Sequence, residues 1–574
     1  MALARAAGLC RLALRTQWAA VRLLASTAAG DELRSGDEKT RQADLEALRR
    51  ERARRPPPER PRLAPPRKVY STPKPSLEQL QLNKEILACE SYAAVLDLVT
   101  PRLDSLSGVN VATALLTLAR RARLSKASAR LSRDARLAQL LRAAESLFGC
   151  MESRELSNAL YACGQLGVTP PPDWLPRFWR ASALKLGDFK PQELSNTLYA
   201  SGRLGIAPPA SWLQRYWEAS ALKLDEFKPQ ELSNTLYASG QLGITPPADW
   251  LPRYWHTSAS KLSEFKPQEL SNTLYACGQL SITPTSDWWL RFWHTSASKL
   301  GEFKTQELNN TFYACGQLRI VPPADWLLRF WDASSAKLGD FKPQELSNTL
   351  YACATLDVAP PADWLQRFSH SCARALPDTL PQDVANVVLA LTMLALWDLP
   401  LLPSLFERLC CSLSHNIAGW SAEDWQHAHQ LYQVYQVAAV ERPGLLAKPS
   451  PELLAAIRRR KAEEISAHGA RTSNFHADVS ACLMRMGIPH TNELWCERAE
   501  RKVDIAIEST PPVALEVDGP HHFLQDGRQD GGTLLRNRML AAHGWRVAVV
   551  DYRLWDGPKT QKQREEYLRR VLEA

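Results

Sequence analysis

A 38-residue period through the middle of this chain limits what it can fold into. The string Phe-Lys-Pro-Gln-Glu-Leu-Ser-Asn-Thr-Leu-Tyr-Ala starts at Phe189 and returns, nearly letter for letter, at Phe227, Phe265, Phe303 and Phe341. A related copy begins at Met151 and a worn one near Thr379. A unit this short cannot bury its own apolar side chains, so successive units must stack into a solenoid with an extended concave surface. Such an array is a scaffold for something long.

Each unit carries the signals of two helices. In the copy at Phe189, Pro191 suits a first helical position, and Gln192 and Glu193 place a carboxylate near the helix start. Leu194, Leu198 and Ser201 share one face. Gly205 and Pro208-Pro209 then stop the helix and restart the chain. Trp212, Leu213, Tyr216, Trp217, Ser220 and Leu224 form the apolar stripe of the second helix. Twelve of the nineteen tryptophans sit in second helices. Their fixed period among apolar neighbours assigns them to packing between units rather than to base stacking.

Polar residues keep the same period. Asn158, Asn196, Asn234, Asn272, Asn310 and Asn348 fall midway along first helices, and Arg203, Gln241, Gln279 and Gln317 lie seven residues beyond their asparagines, two turns along the same side. Two readings are open: a ridge of amide and guanidinium groups that meets base edges or phosphates, or an asparagine ladder holding neighbouring helices in register. Two other series vary between units. One runs Gly167, Gly205, Gly243, Ser281, Arg319, Asp357 and the other Arg180, Glu218, His256, His294, Asp332, His370. Ligand discrimination and random drift account for them equally.

The net charge of +9 is unevenly placed, with +4 in residues 1–30 and +5 in residues 31–75, so residues 76–574 are formally neutral. Total charge therefore carries no argument for nucleic acid. Its distribution does: Arg120, Arg121, Arg123, Lys126, Arg130, Arg133, Arg136 and Arg142, with Asp134 as the one acid, put +7 into 23 residues. This is either a phosphate-contacting patch or a solvated helix face. The acid-free first 30 residues, with Arg22-Leu23-Leu24 before Ala25-Ser26-Thr27, have the pattern of an organelle transit peptide. Their arginine richness favours the mitochondrion over the chloroplast. No run of apolar residues is long enough to span a membrane. Cys163, Cys277, Cys315 and Cys353 share a repeat position with Ser201 and Ser239, which marks a small packing residue rather than a disulfide framework. With no Cys-x-x-Cys pair, no zinc site is expected.

The Pro-Gln-Glu-Leu-Ser-Asn start, the aromatic-Ala pair, the Leu-Gly turn and the Pro-Pro-x-x-Trp-Leu second helix resemble the octotricopeptide repeat, over roughly 100–440 and most clearly over 151–376. That resemblance implies a paired-helix solenoid binding single-stranded organellar RNA, either mRNA or rRNA, in its stability, processing, translation or ribosome assembly. Some relatives of that kind are built into organellar ribosomes, so mitochondrial ribosomal subunits are expected as partners.

Beyond about Ala470 the pattern alternates. Glu493–Glu497, Lys502–Ile507 and Val513–Asp518 read as strands, Thr533–Ala542 as a helix and Trp545–Tyr552 as a further strand. Val503, Ile505 and Ile507 are expected on one face, with Asp504 on the other; Glu516 and Asp518 share a face. Paired strands bring the three carboxylates together near His521 and His522, a set able to hold a divalent cation on a phosphodiester. Leu515 to Phe523, Thr533 to Arg538 and Gly544-Trp545 resemble the RAP domain, which is similar to PD-(D/E)xK and very-short-patch-repair nucleases. By that resemblance Asp504 and Glu516 match the catalytic acids, while the lysine of the motif falls at Asp518. A carboxylate there repels the attacking water and the phosphorane charge.

The expected architecture is mostly α, an α-solenoid of 38-residue repeats followed by a small α/β restriction-endonuclease-like domain. The expected divisions are 1–30 transit peptide, 31–75 disordered basic linker, 76–470 solenoid and 471–574 RAP domain. Candidate catalytic residues are Asp504, Glu516, Asp518 and His522. The asparagine ridge, Arg120, Arg121, Arg130, Arg133 and Arg536 are candidate RNA contacts. Mg2+ or Mn2+ enters only with a catalytic RAP domain.

Overall fold

The computed structural model describes residues 76–415, 417–467, 473–555, 557 and 560–573. The expected transit peptide, the basic linker and the boundary at 470–471 lie outside them. The described chain forms two compact units, residues 76–185 with 203–209, and residues 186–202 with 210–573.

The first unit is helical, with Leu77–Ala88, Tyr92–Val99, Gly108–Leu124, Ala135–Leu147, Ser153–Leu166 and Trp174–Ala183 as its main helices. Ser76 and Ser107 start their helices with capping boxes, satisfying backbone N–H groups that a helix start leaves unpaired. Trp174, fully buried, donates its indole N–H to the Leu141 carbonyl at 3.1 Å.

The second unit repeats one packing solution. First helices at Pro229–Leu242, Pro267–Leu280 and Thr305–Leu318 alternate with second helices at Trp250–Lys261, Ser286–Lys299 and Ala324–Ser335. At each first-helix start the repeat glutamate accepts from the backbone N–H of the preceding lysine, as Glu231, Glu269 and Glu307 do at 2.9 Å. The periodic tryptophans are core, while Trp289 and Trp293, both in Ser286–Lys299, are half-buried. Trp250, Trp288, Trp326 and Trp364 are buried, and their indoles donate to Ser220, Ser258, Ser296 and Ser334 of the preceding second helix at 2.9–3.1 Å. Lys261, Lys299 and Lys337 each reach back 34 residues to the carbonyls of Phe227, Phe265 and Phe303 at 2.5–2.7 Å. First helices approach closely because the repeat glycine has no side chain: a Cβ on Gly240 or Gly316 lies 3.2 Å from the Cα of Ala276 or Ala352. The repeat cysteines are buried and free, and burial pushes the Cys163 thiol up to about 12.

The series running from Gly167 to Asp357 has a local explanation. Every member has positive φ, at 66°, 67° and 65° for the glycines and 53°, 57° and 51° for Ser281, Arg319 and Asp357. The position turns the chain out of a first helix in the left-handed conformation, which glycine adopts freely and other residues rarely do. The other series, Arg180 to His370, lies exposed on second helices.

The C-terminal part is a four-stranded sheet in the order β1 (His490–Cys496), β2 (Arg501–Ile507), β3 (Val513–Asp518), β4 (Arg546–Asp551). The first three strands are antiparallel, and β4 joins β3 in parallel after the crossover helix Gly531–Ala542. Val479, Leu483, Ile505, Leu515, Val550 and Leu568 form the core on one face. On the other, Ala506 and Ala514 pack with Leu540. Val503 joins this second cluster rather than Ile505 and Ile507, against the expected alternation. The β2–β3 ladder ends at the Ile505–Leu515 pair, and beyond it side chains replace the backbone pairing. Strand β1 starts at His490, earlier than expected, and Glu493 within it has a φ of 56°.

The domain is seated on the last repeats. Arg319 pairs with Asp530 at 2.6 Å, and Gln525 N–H donates to the Arg319 carbonyl at 2.8 Å. Arg538 donates to the carbonyls of Met393 and Thr392 and pairs with Glu441 at 2.8 Å. A Cβ on Gly531 falls 1.8 Å from the Ala354 carbonyl oxygen, so only glycine allows this approach. Among the described residues no helix is long and apolar enough to cross a membrane.

Candidate nucleic-acid interface

The Ser-Asn pair of each repeat divides its labour. The serine is buried: Ser233 and Ser271 donate to the carbonyls of Glu269 and Glu307 on the next first helix at 3.0 and 3.1 Å, and Ser347 donates to the Asp383 carboxylate at 2.9 Å. Serine thus links neighbouring first helices in these three units, whereas the equivalent Ser195 hydroxyl is buried without a hydrogen-bond partner. Where serine is replaced, Asn309 is buried and its amide oxygen accepts from Thr349 at 3.3 Å. The following asparagines, Asn196, Asn234, Asn272, Asn310 and Asn348, are half-buried, with part of each amide at the surface. Asn158 of the first unit is half-buried too.

Sequence reasoning missed the tyrosines. Three residues beyond each asparagine stand Tyr161, Tyr199, Tyr237, Tyr275, Tyr313 and Tyr351, all half-buried, on the helical face that carries the amide. The aromatic-Ala pair was visible as a repeat signature, and its three-residue offset from asparagine was the signal available. Tyr237 and Tyr275 on consecutive first helices have ring centroids 6.3 Å apart, tilted by 38°. Gln241 and Gln279 are half-buried, and Gln317 is exposed on the same unit; Arg203 is exposed in the first. In the second unit the surface so formed offers amide donors and acceptors beside aromatic faces, the chemistry that holds unpaired bases.

In the first unit the basic stripe is real but smaller than its count. Arg120, Arg130 and Arg133 are exposed, whereas Arg121 is half-buried with its Nε enclosed and without a hydrogen-bond partner. Arg136 is consumed by Asp134 at 2.7 Å and by Asp97 from outside the stripe at 2.5 Å.

The RAP carboxylates do converge, but around a guanidinium. Arg536, from the crossover helix, places Nη1 at 3.2 Å from Glu516 and Nη2 at 2.7 Å from Asp518. Asp518 is 0 % exposed, Glu516 1 % and Arg536 17 %. Arg536 therefore braces the domain interior and does not stand out toward RNA, a correction to the reading of it as an RNA contact. Asp518 also accepts from Gln529 at 2.7 Å. Asp504 accepts from Val517 N–H at 2.9 Å, and Glu516 accepts from Asp504 N–H at 3.4 Å, so side chains close the splayed strand ends. His522 lies 3.0 Å from the Thr533 hydroxyl and 3.6 Å from Asp518. Burial, with Asp504 and Asp518 nearby, pushes the Glu516 carboxyl up to about 7 against the pull of Arg536. Burial likewise raises Asp504.

This network does not fit Mg2+ or Mn2+. A hard divalent ion needs several carboxylate oxygens with open positions for water and phosphate, and here Arg536 already bridges two of the three acids. A different trio, His476, Glu493 and Asp504, brings possible ligand atoms within 4.8 Å of one another. Lys502, 3.2 Å from Glu493, supplies positive charge to it.

Comparison with known proteins agrees with both halves. Residues 93–259 and 253–398 each match the Tbc2 translation factor N-terminal domain, together more than half of the chain. Residues 515–571 match the RAP domain. The chain is similar to a protein of Oryza sativa subsp. japonica described as "RAP domain-containing protein, chloroplastic", at 27 % identity over 179 residues. That alignment covers 30 % of this chain and 27 % of the rice protein, so the chain spans about a quarter of its relative's length.

Proposed function

This chain belongs to the family defined by the Tbc2 translation factor N-terminal domain, here followed by a RAP domain, and from that premise we propose that it binds single-stranded organellar RNA along the Asn-Tyr-Gln ridge of its first helices. At family level the two domains mark an RNA-associated organellar protein. The finer reading is a factor that protects or presents a transcript, in its stability, processing, translation or assembly with ribosomal RNA. One observation carries it: buried serines tie neighbouring first helices together at Ser233 and Ser271, while asparagine and tyrosine recur with the repeat and keep part of each side chain at the surface. Bases stack on such aromatics without regard to sequence, and the amides add hydrogen bonds. The exposed arginines Arg120, Arg130 and Arg133 supply phosphate contacts.

Location is read as an organelle, with the mitochondrion favoured by the arginine-rich start of the chain and the chloroplast by the name of the rice relative. Fusing residues 1–30 to a fluorescent protein distinguishes the two. No cleavage step is assigned to the RAP domain, because Glu516 and Asp518 are held by Arg536. The deciding experiment is fluorescence anisotropy of the full chain with unpaired RNA at moderate salt. Binding that weakens when Tyr237 and Tyr275 become alanine supports the proposal. No binding to any single-stranded RNA sinks it and leaves a scaffold for proteins.

A further inference from the structure

The ridge runs into a cavity. Where first helices Thr305–Leu318 and Pro343–Thr355 meet the RAP helix Gly531–Ala542, a space of about 180 Å3 is lined by Tyr313, Gln317, Arg319, Tyr351, Thr355 and Asp530 among others. Resting on the reading of the ridge as an RNA surface, we propose that this cavity receives one unpaired nucleobase of the bound strand, so that the RAP domain marks where the strand leaves the ridge.

Four observations converge on a base. The space of about 180 Å3 is of a size to admit one heteroaromatic ring system, with sugar and phosphate left outside. Tyr313 and Tyr351 are the ridge tyrosines of their two units, so the aromatic row continues to the cavity wall. Thr355 occupies the position that is Gln165, Arg203, Gln241, Gln279 and Gln317 in the other units. The long side chain is missing at this place beside the RAP helix, and the shorter threonine leaves room. Finally, Arg319 and Asp530 neutralise each other at 2.6 Å, so the wall carries no uncompensated charge and suits a neutral ring over a phosphate. The Gln317 amide supplies a donor and an acceptor for its edge.

The test uses the full chain and a random-sequence single-stranded RNA containing 4-thiouridine. Thr355→Gln restores the residue type of most other units and fills the cavity. Binding is expected to weaken about ten- to a hundred-fold, the loss of one stacked base. Photocrosslinks to the peptide bearing Tyr351, expected in the parent, should disappear. Tyr351→Leu should weaken binding likewise and Tyr351→Phe should restore it, with thermal unfolding to confirm that each variant folds. If RNA binds the parent yet Thr355→Gln and Tyr351→Leu change neither affinity nor crosslinking, the cavity assignment is overturned while the ridge stands. If the parent binds no RNA, both fall.

Discussion

The repeat ridge and the RAP acid cluster are both rows of polar side chains on regular elements, yet they spend their polar groups differently. On the ridge, Ser233 and Ser271 link neighbouring first helices, and the neighbouring amides and phenols stay half-exposed. In the RAP cluster Asp504, Glu516 and Asp518 are turned inward and tied to Arg536, Gln529 or a backbone N–H. A polar group available to a ligand must keep part of its hydrogen-bonding capacity unused by the fold. The half-exposed row of the array is where we propose recognition, whereas Glu516 and Asp518 hold the sheet to the crossover helix through Arg536.

The sharpest way to break this contrast is to remove its guanidinium. Arg536→Met leaves Glu516 and Asp518 buried without their cation and should cost about 3–5 kcal/mol, read by chemical denaturation. Adding Glu516→Gln and Asp518→Asn to that variant should recover much of the loss. A stable Arg536→Met protein would mean that the acids are not a braced interior. In the array the comparable blow is steric: Trp288→Ala empties a fully buried indole site and should cost a similar 3–5 kcal/mol. Ser258→Ala, which removes only the acceptor of that indole, should cost about 1 kcal/mol.

Protonation sharpens the comparison further. The folded chain holds the Glu516 proton to about pH 7, whereas the unfolded chain releases it near the ordinary value of 4.5. Native protein thus binds more protons between those values, and the stability from this group, complete below about 4.5, is lost as pH rises through about 7. The slope is at most about 1.4 kcal/mol per pH unit. Glu516→Gln should therefore gain stability relative to the parent as pH is raised across that window. A constant difference between the two would contradict the buried, proton-holding carboxyl.

The smallest expected effect is in salt dependence. Reversing the charge of Arg120, Arg130 and Arg133 should flatten the plot of log affinity against log salt by about 0.7 for each phosphate contact removed. Their thermal unfolding should barely move, because all three are exposed. An unchanged slope would leave the stripe as a solvated helix face.

Much of this was readable from residues alone. The period required stacked helical pairs, because no unit that short closes a core, and the periodic tryptophans fell inside as their company demanded. The succession of three strands, a helix and a further strand was legible in the alternating segments after Ala470, and the acids were rightly brought together. What escaped was pairing at a distance. Arg536 lies 18 residues beyond Asp518 and on another element, so no local pattern reveals that its guanidinium bridges Glu516 and Asp518. The Gly167-to-Asp357 series stayed open between discrimination and drift because φ cannot be read from a list of residues.

Sequence by itself determined the repeat, its helix starts and stops, and which side chains are apolar enough to be buried, since these follow from spacing along one chain. Tertiary structure alone decided which member of each Ser-Asn pair is consumed, where Arg536 points and how Thr355 opens a space beside the RAP helix. Those outcomes depend on which groups desolvate one another across elements far apart in sequence, and a buried charge or amide is satisfied only by the partner that folding delivers.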